Sequence, residues 1–276
     1  RQGPTGFDFD NDDLLRAALR EAYGAAAEWM DIERLLAEAR DPDTDRNDFV
    51  RYFLNVPTER TEGKWISDEA WRACRGDTEI PALAPLAVGV DAAHTRDTTA
   101  CVWSWLDPET GRVVQRSRVW SCVKDKPHDV FVPGGRLDND LVVAYIREEL
   151  IPSYSIEIVL GDERYFSDQL HELSEDDGLL VVEVSQGSAH MNAAWDEFYG
   201  HVHAGPEPRI EHDGDATYAA HIRNAVGIRA ERGWKVSKRT TVAPIDAVAA
   251  GSMSAYGAVH LEELAPAPAH RSWRPL

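Results

Sequence analysis

Three aspartates stand where apolar stretches begin or end. Asp91 closes Leu86-Ala-Val-Gly-Val-Asp, Asp162 closes Ile156-Glu-Ile-Val-Leu-Gly-Asp, and Asp246 lies at the start of Pro244-Ile-Asp-Ala-Val-Ala-Ala-Gly-Ser-Met253. An unpaired carboxylate beside a core is costly, so a buried strand that ends on one calls for a reason. If the three converge, they make a pocket of hard oxygen donors suited to Mg²⁺ or Mn²⁺, which points to metal-assisted phosphodiester chemistry. Two-metal hydrolysis holds its ions about 3.5–4 Å apart, one activating the attacking water and the other steadying the leaving oxygen. Asp91, on the central strand end, is the candidate bridging ligand, with Asp162 and Asp246 each serving one ion. The plain alternatives are a turn aspartate at 91 and, at 246, a first-turn acid that complements the helix dipole. Glu163 rivals Asp162; successive side chains on an extended strand end face opposite ways, so only one of them enters the site. Asp97, in the turn after Asp91, reads equally as a further metal carboxylate or as an ordinary turn residue.

Other chemistries find little support. The 276 residues carry 48 acids against 29 lysines and arginines, for a formal charge of -19, which argues against tight binding of nucleic acid over the whole surface. Cys74, Cys101 and Cys122 are irregularly spaced with no CxxC, so a zinc site is not expected and three reduced thiols are. His190, His201, His203 and His212 lack zinc-site spacing and read as surface or loop histidines. Asp8–Asp12 and Asp41–Asp45 resemble calcium loops, yet their sixth positions are Asp13 and Arg46 rather than Gly, and their twelfth are Leu19 and Tyr52 rather than Glu. No GxSxG or GxxxxGK[ST] occurs. No secretory signal or membrane-length apolar run is present, and the first residue is Arg, as in a piece of a longer chain.

The acids must be positioned by a particular order of elements. Residues 1–80 read as a helical segment: Leu14, Leu15, Ala18, Leu19, Ala22, Tyr23, Ala26 and Ala27 recur at helical spacing, with Asn11 or Asp12 as cap. A second helix runs from Ile32 to Arg40. Strands then follow at Leu86–Ala93, Thr98–Leu106 and Arg112–Cys122, with Asp107-Pro-Glu-Thr-Gly111 as a hairpin turn. After a Gly/Pro loop, Lys124 to Arg136, come a helix at 137–150, a strand at 156–161 buried on both faces, a helix at 166–173, a strand at 179–185 and a helix at 189–201. Residues 216–228 are helical, short β segments lie near Ile228 and Trp234–Lys238, and 245–258 is the last helix. Residues 261–276 form a loose Pro/Ala-rich tail. A meander that feeds βα crossovers predicts a ribonuclease-H-like α/β fold: a mixed five-stranded sheet with helices on both faces, over 81–260. Trp103, Trp105 and Trp120 alternate on strands and read as core.

Arg51-Tyr-Phe-Leu-Asn55, Trp65-Ile-Ser-Asp-Glu-Ala-Trp71, Gly89-Val-Asp-Ala-Ala-His-Thr-Arg-Asp-Thr-Thr-Ala100, His212-Asp-Gly-Asp215, His221-Ile-Arg-Asn224, Lys238 and Ile245-Asp-Ala-Val-Ala-Ala250 occur in that order. In order and spacing, from about Phe49 to Gly257, they resemble the C-terminal half of phage terminase large subunits of the HK97-like kind. The resemblance implies a nuclease that cuts concatemeric double-stranded viral DNA with two divalent cations held by Asp91, Asp162 and Asp246. It also implies a missing N-terminal ATPase motor, with residues 1–80 as the motor's end or the linker behind it. Partners would be the small terminase subunit and the portal, and the setting the host cytoplasm rather than the mature virion. It places His221, Asn224 and Lys238 near the DNA or the site. Arg229, Arg232, Lys235, Lys238 and Arg239 form the densest basic stretch, and Arg112, Arg116, Arg118 and Arg136 are further candidate DNA contacts. Two rival readings remain: another ribonuclease-H-like nuclease, of resolvase, transposase or RNase H type, and a non-catalytic docking module of a packaging motor.

Overall fold

The computed structural model describes residues 8–9, 11–40, 49–50, 53–54, 64–93, 98–185, 189–205, 207–230, 233–240 and 243–265; for Glu163, Ala189 and Ala230 it describes the backbone only. Asp97 and Arg232, two of the candidate site residues, lie outside that set, as does the tail beyond 265. The chain divides into two compact units, Arg1–Gly63 and Lys64–Leu276.

The first unit is helical. Helix α1 (Asp12–Tyr23) starts at Asn11, whose side chain accepts the amides of Asp13 and Leu14, and continues as a tighter turn over Gly24–Glu28. Helix α2 (Ile32–Ala39) is capped by Asp31. Leu15, Leu19, Leu35, Leu36, Phe49 and Leu54 share one small apolar core. The expected boundary at residue 80 moves to 63/64. Trp65, Ile66, Trp71 and Cys74 belong to the core of the second unit, and the short helix α3 (Asp68–Ala73) presents Trp71 to the ring of His212, with centroids 4.0 Å apart and planes within 6°.

The second unit is built on a mixed sheet. Its strands are β1 (Pro85–Asp91), β2 (Thr98–Leu106), β3 (Val113–Ser121), β4 (Val130–Phe131), β5 (Ser155–Asp162), β6 (Val181–Val184) and β7 (Ile210–His212). The order is β4-β3-β2-β1-β5-β6, with β7 also pairing with β3. The five expected strands form a continuous run, β3-β2-β1-β5-β6. Two short ones, β4 and β7, were not foreseen: both attach in parallel to the outer side of β3, and two or three residues are too few for a periodic signal. β1 to β3 form an antiparallel meander, and β5 returns parallel to β1. Asp107 builds the expected turn by accepting from the amide of Glu109 at 3.0 Å and the hydroxyl of Thr110 at 2.5 Å, while Gly111 takes a positive φ of 68°.

Helices cover both faces. On one lie α4 (Asp140–Tyr145), which runs on through a wider turn over Ile146–Leu150, and α5 (Glu163–Asp176); their apolar residues pack with Leu86, Val88, Val90, Val159 and the three expected tryptophans. On the other lie α6 (Ala189–Val202), α7 (Ala216–Asn224) and α8 (Asp246–Val259). The helix expected over 216–228 stops at Asn224, because Ala225–Ala230 becomes β8 and pairs with β9 (Gly233–Lys238) as a separate hairpin. A short helix α9 (Leu261–Leu264) follows α8, where the loose tail was expected to start. Cys74, Cys101 and Cys122 are free and buried; burial pushes the Cys74 thiol up to about 12. Among the described residues, no helix is long and apolar enough to cross a membrane.

The seat of α8 is made of small residues. A Cβ on Gly89 would collide with the backbone carbonyl of Ala250, and one on Gly251 with the hydroxyl of Tyr218. Beneath the helix runs a buried polar network. Gln115 Nε2 donates to Ser104 Oγ at 2.8 Å, to the carbonyl of Gly251 at 2.8 Å and to Ser254 Oγ at 3.2 Å, while Tyr218 donates to Gln115 Oε1 at 2.9 Å. A backbone collision cannot be relieved by a rotamer change, so Gly89→Ala is expected to cost at least about 1–3 kcal/mol, read as a lower urea midpoint.

His212 is 3% exposed, contrary to its expected place on the surface. Its Nδ1 accepts the amide of Gly214 at 2.9 Å, so Nε2 carries the proton that reaches the carbonyl of Trp71 at 2.8 Å. Burial, with Arg75 and Arg116 nearby, lowers its pKa from the ordinary value although the Trp71 carbonyl and Asp213 oppose the shift. The unfolded chain therefore binds a proton first as acid is added. Stability from neutral His212 is complete above the ordinary value of 6.5 and is lost as pH falls from there through the lower folded value. His212→Gln should reduce the urea midpoint at pH 7 and narrow the gap to the parent at pH 5.

Candidate active site

Strand alternation decides which side chains share a face. On β1, Ala87 and Gly89 face α8: a Cβ on Gly257 would touch Ala87, and one on Gly89 would strike Ala250. Asp91, two residues further, shares that face. On β5, Ile158 and Leu160 pack in the same layer as Ala87 and α8, so Asp162 shares it too. Val90 pairs with Gly161 in parallel register. The next residue on each strand, Asp91 and Asp162, therefore sits side by side with the other where both strands end.

Helix α8 completes the arrangement. Its C-terminal Gly257 lies over Ala87 and Leu160, and its middle, Ala250 to Ser254, lies over Gly89. The helix thus runs back along β1, and its first residue, Asp246, arrives at the end occupied by Asp91. Asp91, Asp162 and Asp246 are 5%, 4% and 5% exposed. The three acids lie on one face and at one end of the sheet.

Asp162 and Asp246 are held differently. Asp162 caps α5, with Oδ1 accepting the amide of Arg164 at 2.9 Å; a carboxylate has about four acceptor positions, so this bond leaves ligating capacity. The Thr98 hydroxyl, on the first residue of β2, donates to Asp246 Oδ2. Lys238 Nζ, at the end of β9, lies 3.8 Å from Asp246 Oδ1. Thr98 was not singled out from the sequence; its place two residues before Ala100, the β2 partner of Asp91, was the available signal.

The donor set fits hard divalent cations in kind: three buried carboxylates, with no thiolate or imidazole among them. Among the described residues, no group of three or more His, Cys, Asp or Glu side chains is already drawn together as a metal-holding cluster. Asp97 lies outside the residues described.

The candidate DNA contacts separate. Lys238 reaches Asp246. His221 is fully buried, so its expected role as a DNA contact is corrected: Nδ1 accepts the amide of Ala247 at 3.1 Å and anchors the first turn of α8 beside Asp246. Asn224 Nδ2 donates to the carbonyl of Pro244 at 3.0 Å and holds the approach to the same helix. Arg239 is exposed. Arg112 pairs at 3.0 Å with Glu211, which is 3% exposed on its side chain. Arg116 donates to the carbonyls of Gln115 and Thr78, and Arg118 lies over the ring of Tyr145. His212-Asp-Gly-Asp215 is a structural turn: Gly214 has a φ of 86° and Asp215 caps α7 through the amide of Tyr218.

No protein-family model matches the chain, and no curated protein does. Among solved structures it is similar to the HK97 bacteriophage large terminase, at 20% identity and a TM-score of 0.59, over 93% of this chain and 56% of that one. It is also similar to the large terminase nuclease from thermophilic phage G20c, at 14% identity and a TM-score of 0.45, over 67% and 94%. A further match is the g2p (large terminase) nuclease domain from bacteriophage SPP1 with bound Mn, at 14% and 0.39, over 68% and 90%. The chain spans a little over half the length of the HK97 subunit. Its fold, a ribonuclease-H-like mixed sheet with helices on both faces, is similar to that of the part of the HK97 large terminase that it covers.

Proposed function

We propose that the chain is a metal-dependent endonuclease that cuts concatemeric double-stranded viral DNA during genome packaging. The observation that carries this reading is the meeting of Asp91, Asp162 and Asp246 on one face and at one end of the sheet. The HK97-like fold supports it. An ATPase motor, a small terminase subunit and a portal are the partners this reading implies, and the host cytoplasm its setting.

Asp91, Asp162 and Asp246 are the residues that would hold two divalent cations, with Asp91 shared. When bound, the ions supply an activated water and stabilise the leaving 3′ oxygen. Thr98 fixes the rotamer of Asp246 through Oδ2 and leaves Oδ1 toward Lys238. The Lys238 ammonium, about one third exposed, is placed to steady negative charge that grows on a phosphate entering from solvent. His221 and Asn224 keep the start of α8 in place. Acids this buried repel one another in a poorly screened site, and bound cations offset that repulsion.

Asp91→Asn should lower Mn²⁺-dependent plasmid nicking by about 10²–10³-fold with the far-UV spectrum unchanged; a variant that cuts like its parent removes the assignment. The docking-module reading draws on the charge of -19 and on the lack of a ready-made metal cluster among the described residues. Calorimetry separates the two. The nuclease reading expects Mn²⁺ binding that weakens in Asp91→Asn and Asp246→Asn, whereas no heat at millimolar Mn²⁺ favours the docking module.

A further inference from the structure

A cavity of about 210 Å³ opens between α3 and α7, away from the three aspartates in sequence and lined by Arg72, Arg75 and Arg223. Its wall includes the stacked rings of Trp71 on α3 and His212 on β7, and Trp71 also meets Tyr218 of α7 edge-on, with centroids 5.0 Å apart. All three arginines are exposed, and none donates a side-chain hydrogen bond to, or forms an ion pair with, any described residue. Acids outnumber lysines and arginines by 48 to 29 in this chain, and some arginines take acid partners: Arg112 with Glu211, Arg147 with Glu172 and Asp177, Arg16 with Glu33. The one acid in the cavity lining, Asp68, is bonded to Lys64 Nζ at 2.6 Å, and the charges of Lys64, Arg223 and Arg72 together hold its carboxyl below the ordinary value, which leaves three guanidinium groups against one carboxylate. The cavity therefore keeps a net positive charge inside an acidic protein, where like charges repel and an anion would relieve the repulsion.

A broader, shallower depression shares Arg72 and Arg75 and adds Arg116, together with Asp77 and Asp213; Arg116 lies 3.6 Å from Asp213. In the other direction Arg223 belongs to the last turn of α7, two residues from His221, whose ring bonds the amide of Ala247 next to Asp246. One helix thus links the arginine cavity to the start of α8. Guanidinium forks suit phosphate oxygens in bidentate geometry, and several arginines in a row suit a ligand whose phosphates repeat.

We propose that Arg72, Arg75 and Arg223 form a phosphate-binding site that seats the backbone of a nucleic acid duplex. This assignment rests on the nuclease reading for its ligand. The site grips phosphates and reads no bases, so its contribution is independent of sequence and sensitive to salt.

The test is fluorescence anisotropy of a short labelled duplex with the full chain in EDTA, over a series of salt concentrations. Arg72→Gln, Arg75→Gln and Arg223→Gln are made singly and together, with Arg34→Gln in the first unit as a control. Each substitution in the cavity should weaken binding for all duplex sequences alike and lower the salt slope by about 1. The triple variant should lower it by about 3, while Arg34→Gln leaves it unchanged. The proposal is overturned if a triple variant with the parent's far-UV spectrum keeps the parent's slope. It is also overturned if the parent binds inorganic phosphate but no duplex, or binds no duplex at all. Since EDTA removes cleavage from the readout, a parent that binds through these arginines yet never cuts in Mn²⁺ would refute the catalytic reading and leave this one intact.

Discussion

The closeness of α8 to the sheet is the constraint on which the arrangement of acids depends. Asp246 reaches the level of Asp91 because the helix rests on the backbone of β1 rather than on side chains. Glycine at 89 and at 251, with Ala247, Ala249, Ala250, Ser252 and Ser254 around them, removes the bulk that would hold the helix off. A small-residue surface buries less apolar area than a leucine-rich one. The Gln115 network makes up specificity instead: it ties Tyr218 on α7, Ser104 on β2 and Gly251 and Ser254 on α8 to a single side chain. A buried polar group must be satisfied, so sliding the helix by one turn would break several bonds at once.

Electrostatics at the site follows from the same placement. Three carboxylates below a tenth exposed are not held by apolar packing. Asp162 is held by the amide of Arg164, and Asp246 by the hydroxyl of Thr98 and the ammonium of Lys238. Asp162 shows how one residue serves two ends: it finishes a strand and starts a helix, so its carboxylate is fixed in direction by the turn it caps. Its alternative of Glu163 falls on the first residue of α5.

Much of this was legible in the sequence. Strands that stop on Asp91 and Asp162 after runs of small and β-branched residues announced themselves, and an alanine-rich segment opening on Asp246 read as a helix. Alternation then put the acids on a common face, which needs only the register of two neighbours. What the sequence concealed is of two kinds. β4 and β7 are too short to show a period, and they exist because β3 offers an unpaired side. The roles of His221, Asn224 and His212 were hidden because a polar residue at a helical position looks the same whether it meets water or a backbone amide of a distant element. The arginines at 72, 75 and 223 lie about 150 residues apart by number, and the contacts of Trp71 with His212 and Tyr218 and the pairing of Arg75 with His212 bring them to one cavity.

The outer side of β3 carries one more consequence. β7 covers Val113–Gln115 and β4 covers Trp120–Ser121, while Asp129 exchanges hydrogen bonds with Val119, accepting its amide at 2.7 Å and donating to its carbonyl at 2.9 Å. The stretch between them, Arg116 to Arg118, is flanked by two guanidinium groups. A foreign strand seeking to extend the sheet there would find a gap of three residues guarded by charge. Intermolecular strand addition, the usual route from an open sheet to aggregates, is thereby blocked on this side by two fragments of strand.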